Sequence, residues 1–585
     1  MPLHRPPCRP LLTALSRTAQ PRIAGVHTTP TILRACTRSE APVVPRLARS
    51  MVHLRQIVRP IAFAVPAVAA YAYYRHRQSK PETFDLAVPK RGPDGKRTFT
   101  QMSVPMLSMD EVDARIRQNA IFKTTLRPDG ILWKQATAFL PANDPIEDAN
   151  ADTIVEQDLV PNSPPGDFLF YTVMDGHAGP HTSQLLSKTL IPAVGLELAN
   201  LTKESAQSSS QDGIMQRLRS LIWPTSSSSV SLDADPQAVS GAIKRTFTRL
   251  DWELINAPLR ILAAHLDKAA LEKNIIPDLS QHPMALATML PAMSGSCALM
   301  ALFDTARRNL YVACTGDSRA VAGYWEETED GQGHWRVEVL TEDQTGRNPK
   351  ELQRIQSEHP PDEADAVIQR GRILGGLEPS RAFGDARYKW PREIQEMLGK
   401  AFLEGNNKPM RPAPSALKTP PYVTACPEVT HRKLTLPSSD PKPKSALRFL
   451  VLATDGLWDE LTSDEVVALV GGHLAGLQGT VPKASLPSLV PTSAGAPTVD
   501  GKAKHRGNDA QGTWEFRDEN VSAHLIRNAF GGGDHEHLRK TLSIPAPYAR
   551  NFRDDITVTV VWWEDARSAE PGVKQGEGEA VRTKL

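Results

Sequence analysis

A mixed α+β fold, with antiparallel sheets and helices packed outside them, is the class this sequence predicts. Three observations carry the prediction. Short runs rich in β-branched and aromatic residues recur along the chain, among them "FLFYTVM", "LYVACTG", "RFLVLAT" and "DITVTVVWW". Helical stretches are legible between them: Thr462-Ser463-Asp464-Glu465 before "VVALV" fits a capping box, and "NVSAHLIRNAFGGG" is an amphipathic turn sequence stopped by Gly531. Strands and helices do not alternate regularly, as a parallel sheet with crossover helices would require.

The 585 residues allow one large domain or several smaller ones. A formal net charge of +2 gives no reason to expect a nucleic-acid partner, whose binding domain would be markedly basic. Cys8, Cys36, Cys297, Cys314 and Cys426 are scattered and odd in number, and no pair has zinc-ligand spacing. Neither a disulfide framework nor a zinc module is indicated, and Cys297 and Cys314 read as small buried hydrophobes.

Residues 1–55 are rich in arginine, contain Ser, Thr and Ala, and hold Glu40 as their one acid. That composition is expected of a mitochondrial transit segment, the alternative being a basic tail. Residues 56–78 hold "PIAFAVPAVAAYAYY", uncharged and flanked by Arg59, Arg75 and Arg77. It is shorter than the ~20 residues a bilayer core usually needs, but snorkelling arginines can extend it. It is expected to be a short membrane anchor or sorting segment, placing the protein at the mitochondrial inner membrane, or else the apolar part of the targeting signal. Both flanks are basic, so the side of the membrane is not readable. Residues 79–125 read as a polar linker and entry segment, and 126–565 as the catalytic domain. Insertions expected to be disordered lie near 205–233, 405–421 and 476–513, where Ser, Pro, Gly and Ala accumulate. A charged tail, 566–585, ends in Thr583-Lys584-Leu585. This near relative of a Ser-Lys-Leu address is a candidate ligand for a peroxisomal import receptor and would give a minor peroxisomal pool.

The chemistry lies at strand ends. "FLFYTVMDGHAG" runs an apolar strand into Asp175, Gly176 and His177; "RFLVLATDGLWDEL" does the same into Asp455-Gly456, with Asp459 four residues on; "LYVACTGDSRAV" ends a strand at Gly316-Asp317. "NFRDDITV" reverses the order, Asp554 and Asp555 preceding their strand. An antiparallel neighbour that begins where others end brings these acids to one edge. Converging carboxylates repel and raise each other's pKa unless a cation holds them ionised. Oxygen donors without Cys or paired His favour Mg²⁺ or Mn²⁺ over zinc. Two such ions can share a bridging water, lower its pKa and clamp both oxygens of a phosphoryl displacement. Other chemistries are excluded: Cys314-Thr-Gly-Asp-Ser-Arg319 is one residue short of a cysteine-phosphatase cradle and holds an acid in it. The chain also has no GxxxxGK[ST], HExxH or GxSxG.

"VMDGHAG", "GDSRAV", "PSRAFGD", "ATDGLWDEL" and "RDDITV", in this order, resemble the ordered motifs of the metal-dependent protein phosphatase family, type 2C. "NDPIEDAN", "RAFGDARYKW" and "TPPYVTACPEVT" are most similar to its pyruvate dehydrogenase phosphatase branch and the fungal mitochondrial relatives of that branch. The resemblance implies an α-β-β-α sandwich of two antiparallel sheets with metals at one end, and a phosphoserine or phosphothreonine protein as substrate. It implies two metal ions bridged by Asp175, with the Gly176 carbonyl, Asp455 and Asp554 completing the direct ligands. Asp317 and Asp459 match positions of a weaker third ion, and Glu147 and Asp148 those of acids that hold metal-bound water. It makes a metal-bound hydroxide the attacking group, with no phosphoenzyme, and His177 the acid that protonates the leaving Ser or Thr oxygen. Where many members carry a phosphate-gripping arginine this chain has Asn143, an amide without charge, so phosphate affinity must come from the metals or another cation. The pyruvate dehydrogenase complex is the substrate the branch implies. The competing expectations are a catalytically dead phosphatase-fold scaffold and a hydrolase of small phosphorylated metabolites.

Overall fold

The computed structural model describes residues 82–91, 97–127, 129–156, 166–208, 235–266, 275–329, 333–408, 410–436, 444–493 and 511–566. The transit segment, the anchor at 60–74, residues 209–233 of the serine-rich insertion expected at 205–233 and the C-terminal tail with Thr583-Lys584-Leu585 lie outside these residues; 205–208, expected to be disordered, instead end the helix His181–Ser208. Among the described residues no helix is long and apolar enough to cross a membrane.

Two sheets make the centre. The smaller runs in the spatial order Glu428–Lys433, Asn309–Thr315, Ala298–Asp304, Asp167–Met174, Ala149–Glu156, every pairing antiparallel. The larger runs Thr492–Ser493, Gly333–Val339, Arg319–Glu327, Ser445–Ala453, Ile556–Asp565, Ile131–Leu140, Ile121–Leu126. Only the short Thr492–Ser493 pairing is parallel.

Alternation along each strand fixes which face goes where. Leu169, Tyr171 and Val173 point between the sheets, where they meet Leu299, Phe303, Leu450, Leu452, Trp133 and Trp563. Phe168, Phe170 and Met174 point outward, against Leu186, Leu190, Val194, Ile243 and Phe247. Those last residues belong to the helices His181–Ser208 and Pro236–His265. On the other side Val451, Val558 and Val560 pack against Val466, Leu469, Leu525 and Ile526, from the helices Ser463–Leu474 and Val521–Ala529. Strands apolar on both faces are what a sheet covered on both sides requires. The expected α-β-β-α sandwich is the observed architecture.

Local signals hold as well. The Thr462 hydroxyl accepts from Glu465 N and the Glu465 side chain returns to the Thr462 backbone, completing the capping box. Asn520 caps the helix Val521–Ala529, and Gly531 and Gly532 take positive φ just beyond it.

Three further expectations need correction. Within the expected linker and entry segment, 79–125, the described residues are structured: Thr83–Arg91 and Arg97–Pro105 pair as an antiparallel hairpin, followed by the helix Met109–Arg117 and the edge strand Ile121–Leu126. Leu86, Val88 and Val104 are buried against Ala142, Ile544 and Ala549, so a few apolar residues at alternate positions suffice to dock a hairpin rich in polar side chains. The Pro-rich stretch 405–421, described except at 409, is irregular but packed. Leu417 is buried against Tyr388 and Tyr422, and the carbonyls of Pro412 and Pro414 accept from Arg387 and Arg392. Within 476–513, Gly479–Pro482 pairs with Thr513–Phe516 and Thr492–Ser493 extends the larger sheet; residues 494–510 lie outside the description.

Candidate active site

Strand register brings the acids together. Ala149 faces Met174, so Glu147 and Asp148, just before the one, stand beside Asp175, just after the other. Ala298 faces Thr315, which sets Cys297 beside the turn leading to Asp317. Ser445–Ala453 ends into buried Thr454, and Asp455 opens the short helix Asp455–Trp458. Ile556 faces Leu140, placing Asp555 against the loop that begins at Pro141. A three-stranded patch, Gly176–His177 with Gly295–Ser296 with Phe383–Gly384, closes the site on one side.

Carboxylate oxygens of Asp175, Asp317 and Asp455 all lie within 4.8 Å of one another. Burial, then the charges of Asp455, Asp148 and Asp317, push the Asp175 carboxyl well above its usual range. Asp148 is pushed well up too, by burial and by Asp555, although the hydroxyls of Thr557 (2.8 Å) and Thr454 (2.9 Å) donate to it. Burial also raises Glu147, opposed by the Gly179 N–H, which donates to it at 2.7 Å. Negative charge is therefore in excess. A divalent cation would hold such a group ionised, and the oxygen donors fit Mg²⁺ or Mn²⁺. Gly176 belongs to the same construction: a Cβ there would lie 2.0 Å from the Glu147 carbonyl oxygen. Cys297 is buried as expected, and its thiol donates to Asp317 at 3.2 Å. Burial and the Asp317 and Asp175 charges hold that thiol protonated, so it is no nucleophile.

The remaining candidates take different places. Asp554 stands outside the group of three; its carboxylate pairs with Arg550 four residues back and accepts from Asp555 N at 2.8 Å. Asp459 is buried at the end of the short helix, its N–H donating to the Asp455 carbonyl at 2.8 Å. Asn143 is a brace, donating its amide to Asp555 at 2.9 Å, while Asp555 also accepts from the backbone N–H groups of Ala142, Asn143 and Glu147. His177 Nε2 lies 2.7 Å from Asp385 Oδ2. Burial alone would lower the His177 pKa, but Asp385, Asp317 and Glu147 outweigh it and the net shift is upward.

Asp385, Thr454 and Thr557 have no role that the sequence alone assigns, and Asp555 stands there only as one of the converging strand-edge acids. Asp385 ends the quoted "PSRAFGD", yet its partner, His177, lies 208 positions earlier in the chain.

Residues 241–479 match the Protein phosphatase 2C family. Over 531 residues the chain is 32% identical to a protein phosphatase 2C homolog of Schizosaccharomyces pombe, covering 88% of this chain and 97% of that one. It is 32% identical over 507 residues to the mitochondrial pyruvate dehydrogenase (acetyl-transferring) phosphatase 1 of Saccharomyces cerevisiae, covering 82% and 78%. The human phosphatase of the same name is 39% identical over 277 residues, 46% of this chain and 48% of that one. This chain belongs to the protein phosphatase 2C family and is a protein serine/threonine phosphatase.

Proposed function

We propose that the chain is a Mg²⁺- or Mn²⁺-dependent phosphatase of mitochondria, acting on phosphoserine or phosphothreonine in proteins, with the pyruvate dehydrogenase complex as its substrate. The observation that carries the metal dependence is the mutually repelling group Asp175, Asp317 and Asp455, of which Asp317 is buried and the other two half-buried. The names of two relatives and the arginine-rich, acid-poor first 55 residues support the compartment; the same two names support the substrate.

Bound at this group, the ions would supply Lewis acidity and a water of lowered pKa. Asp175, Asp317 and Asp455 would hold them, with Asp554 joining from the neighbouring strand start. Thr454 and Thr557 fix Asp148, and Gly179 fixes Glu147, so that each carboxylate keeps one orientation and would be ready to hold a water of the bound metals. His177 commits Nε2–H to Asp385, which leaves its Nδ1 proton for the departing Ser or Thr oxygen. The carboxylates around the ring favour its charged form, the form that has this proton to give.

Purified protein should hydrolyse a phosphothreonine peptide with Mn²⁺ and lose the activity in EDTA. Asp455→Asn should lower the rate by about a hundredfold or more, since one metal ligand is lost. Equal rates with and without EDTA would refute the metal mechanism. Faster turnover of small phosphorylated metabolites than of phosphopeptides would refute the protein substrate.

A further inference from the structure

We propose that Arg550 is the side chain that grips the substrate phosphate in this protein; the proposal rests on the phosphatase reading and names a residue for it. Asn143 cannot fill that role here. Its amide is spent on Asp555, with a long 3.5 Å contact to Glu147, and it carries no charge. A phosphate dianion entering an acid-rich site needs a cation beside the metals, because the carboxylates repel it.

Two positive groups act on the Glu147 carboxyl, Arg550 and His177. His177 gives Nε2 to Asp385 and is deeply placed. Arg553, three residues beyond Arg550, is buried, and its Nη1 donates to the Pro141 carbonyl at 2.6 Å, beneath the loop. Arg550 differs from both. Its side chain is 41% exposed, its partner is Asp554, and its charge reaches Glu147, so the guanidinium lies at the metal end of the sandwich and open to solvent.

Its backbone is well held. Arg550 sits in the turn Ala549–Asn551, and Ala549 is fully buried against Leu86, Val88, Val104 and Ala142 of the hairpin and the adjoining loop. A fixed base with a long, exposed head suits a side chain that closes on a ligand. The pairing with Asp554 supplies a switch of partners. An Asp554 oxygen committed to a divalent cation has little hold left on a guanidinium, so filling the acid cluster leaves the Arg550 donors for phosphate oxygens. Planar N–H groups meeting two oxygens of a phosphate make the bidentate contact for which arginine is suited.

The test uses the full chain loaded with Mn²⁺ and inorganic phosphate as the probe. Arg550→Met should weaken phosphate binding, read both by calorimetry and as product inhibition, by about ten- to a hundredfold, the range of a charge-assisted pair. KM for a phosphopeptide should rise more than kcat falls, and Arg550→Lys should recover part of the loss. Mn²⁺ affinity, followed by its paramagnetic resonance signal, should stay level or tighten, because a competing cation has left Asp554. Phosphate affinity within about twofold of the wild type would overturn the proposal. Weakened Mn²⁺ binding would overturn it as well, by assigning Arg550 to the positioning of Asp554. A wild type inactive with Mn²⁺ would sink the phosphatase reading, while the calorimetric comparison would still report on Arg550.

Discussion

Gly295 shows how one residue can serve a site without touching the chemistry. A Cβ there would lie 2.0 Å from His177 Nε2 and 2.3 Å from Asp385 Oδ2, so the glycine is the space in which that pair forms. Gly295→Ala must push the imidazole and carboxylate apart while leaving the Asp175, Asp317 and Asp455 carboxylates where they are. The expected result is a kcat lower by about a hundredfold, the scale of one general acid, with Mn²⁺ affinity within about twofold of the wild type. An unchanged kcat would remove the His177 and Asp385 pair from the reaction. At this scale the acids were legible because each follows or precedes an apolar run. What orients them was not: Thr454, Thr557 and Asp385 acquire their partners, and Asp555 its bracing role, only through strand register, which no local pattern encodes.

Among the elements, the helices Ser463–Leu474 and Val521–Ala529 announce their ends in sequence but conceal what lies between them. His473 and His524 approach with ring centroids 5.3 Å apart, and His524, fully buried, also packs on Phe516 at 4.7 Å. Burial, with the charges of His473 and Arg527, lowers the His524 pKa to about 3, against an ordinary value of 6.5. Between those values the unfolded chain binds a proton that the folded chain refuses. Stability is therefore whole above about pH 6.5 and falls as pH drops toward 3, by up to about 1.4 kcal/mol per unit for this group. His524→Phe keeps an aromatic ring against Phe516 and removes the proton. Urea unfolding at pH 8 and pH 5 should show the variant gaining about 2 kcal/mol on the wild type over that interval. Parallel pH dependence in the two proteins would mean that His524 does not set the acid limit. The histidines look unremarkable in sequence because an apolar helix face tolerates a neutral imidazole whose Nδ1 has a partner, here the Asn528 amide at 3.1 Å.

For the whole molecule, the sandwich was readable because its central strands are apolar on both faces, and "FLFYTVM" splits cleanly into Leu169, Tyr171 and Val173 inside and Phe168, Phe170 and Met174 outside. The entry segment was not, because Asp85, Lys90, Arg91 and Thr100 give the hairpin the composition of a linker while three residues, Leu86, Val88 and Val104, do its packing. That packing reaches the functional end: beneath the hairpin lie Ala142, adjoining Asn143, and Ala549, adjoining Arg550. The described residues begin at Glu82, at the foot of this hairpin. Removing residues 1–80 should leave the melting temperature and the Mn²⁺-dependent rate within error of the full chain. Removing residues 1–106 strips Leu86, Val88 and Val104 from their partners, at about 1.5–3 kcal/mol for each buried side chain, and frees the turn that carries Arg550. The shorter protein should melt at least several degrees lower and bind inorganic phosphate more weakly than the protein that keeps residues 81–106. Equal phosphate affinity in the two truncations would show that the hairpin supports the fold without reaching the site.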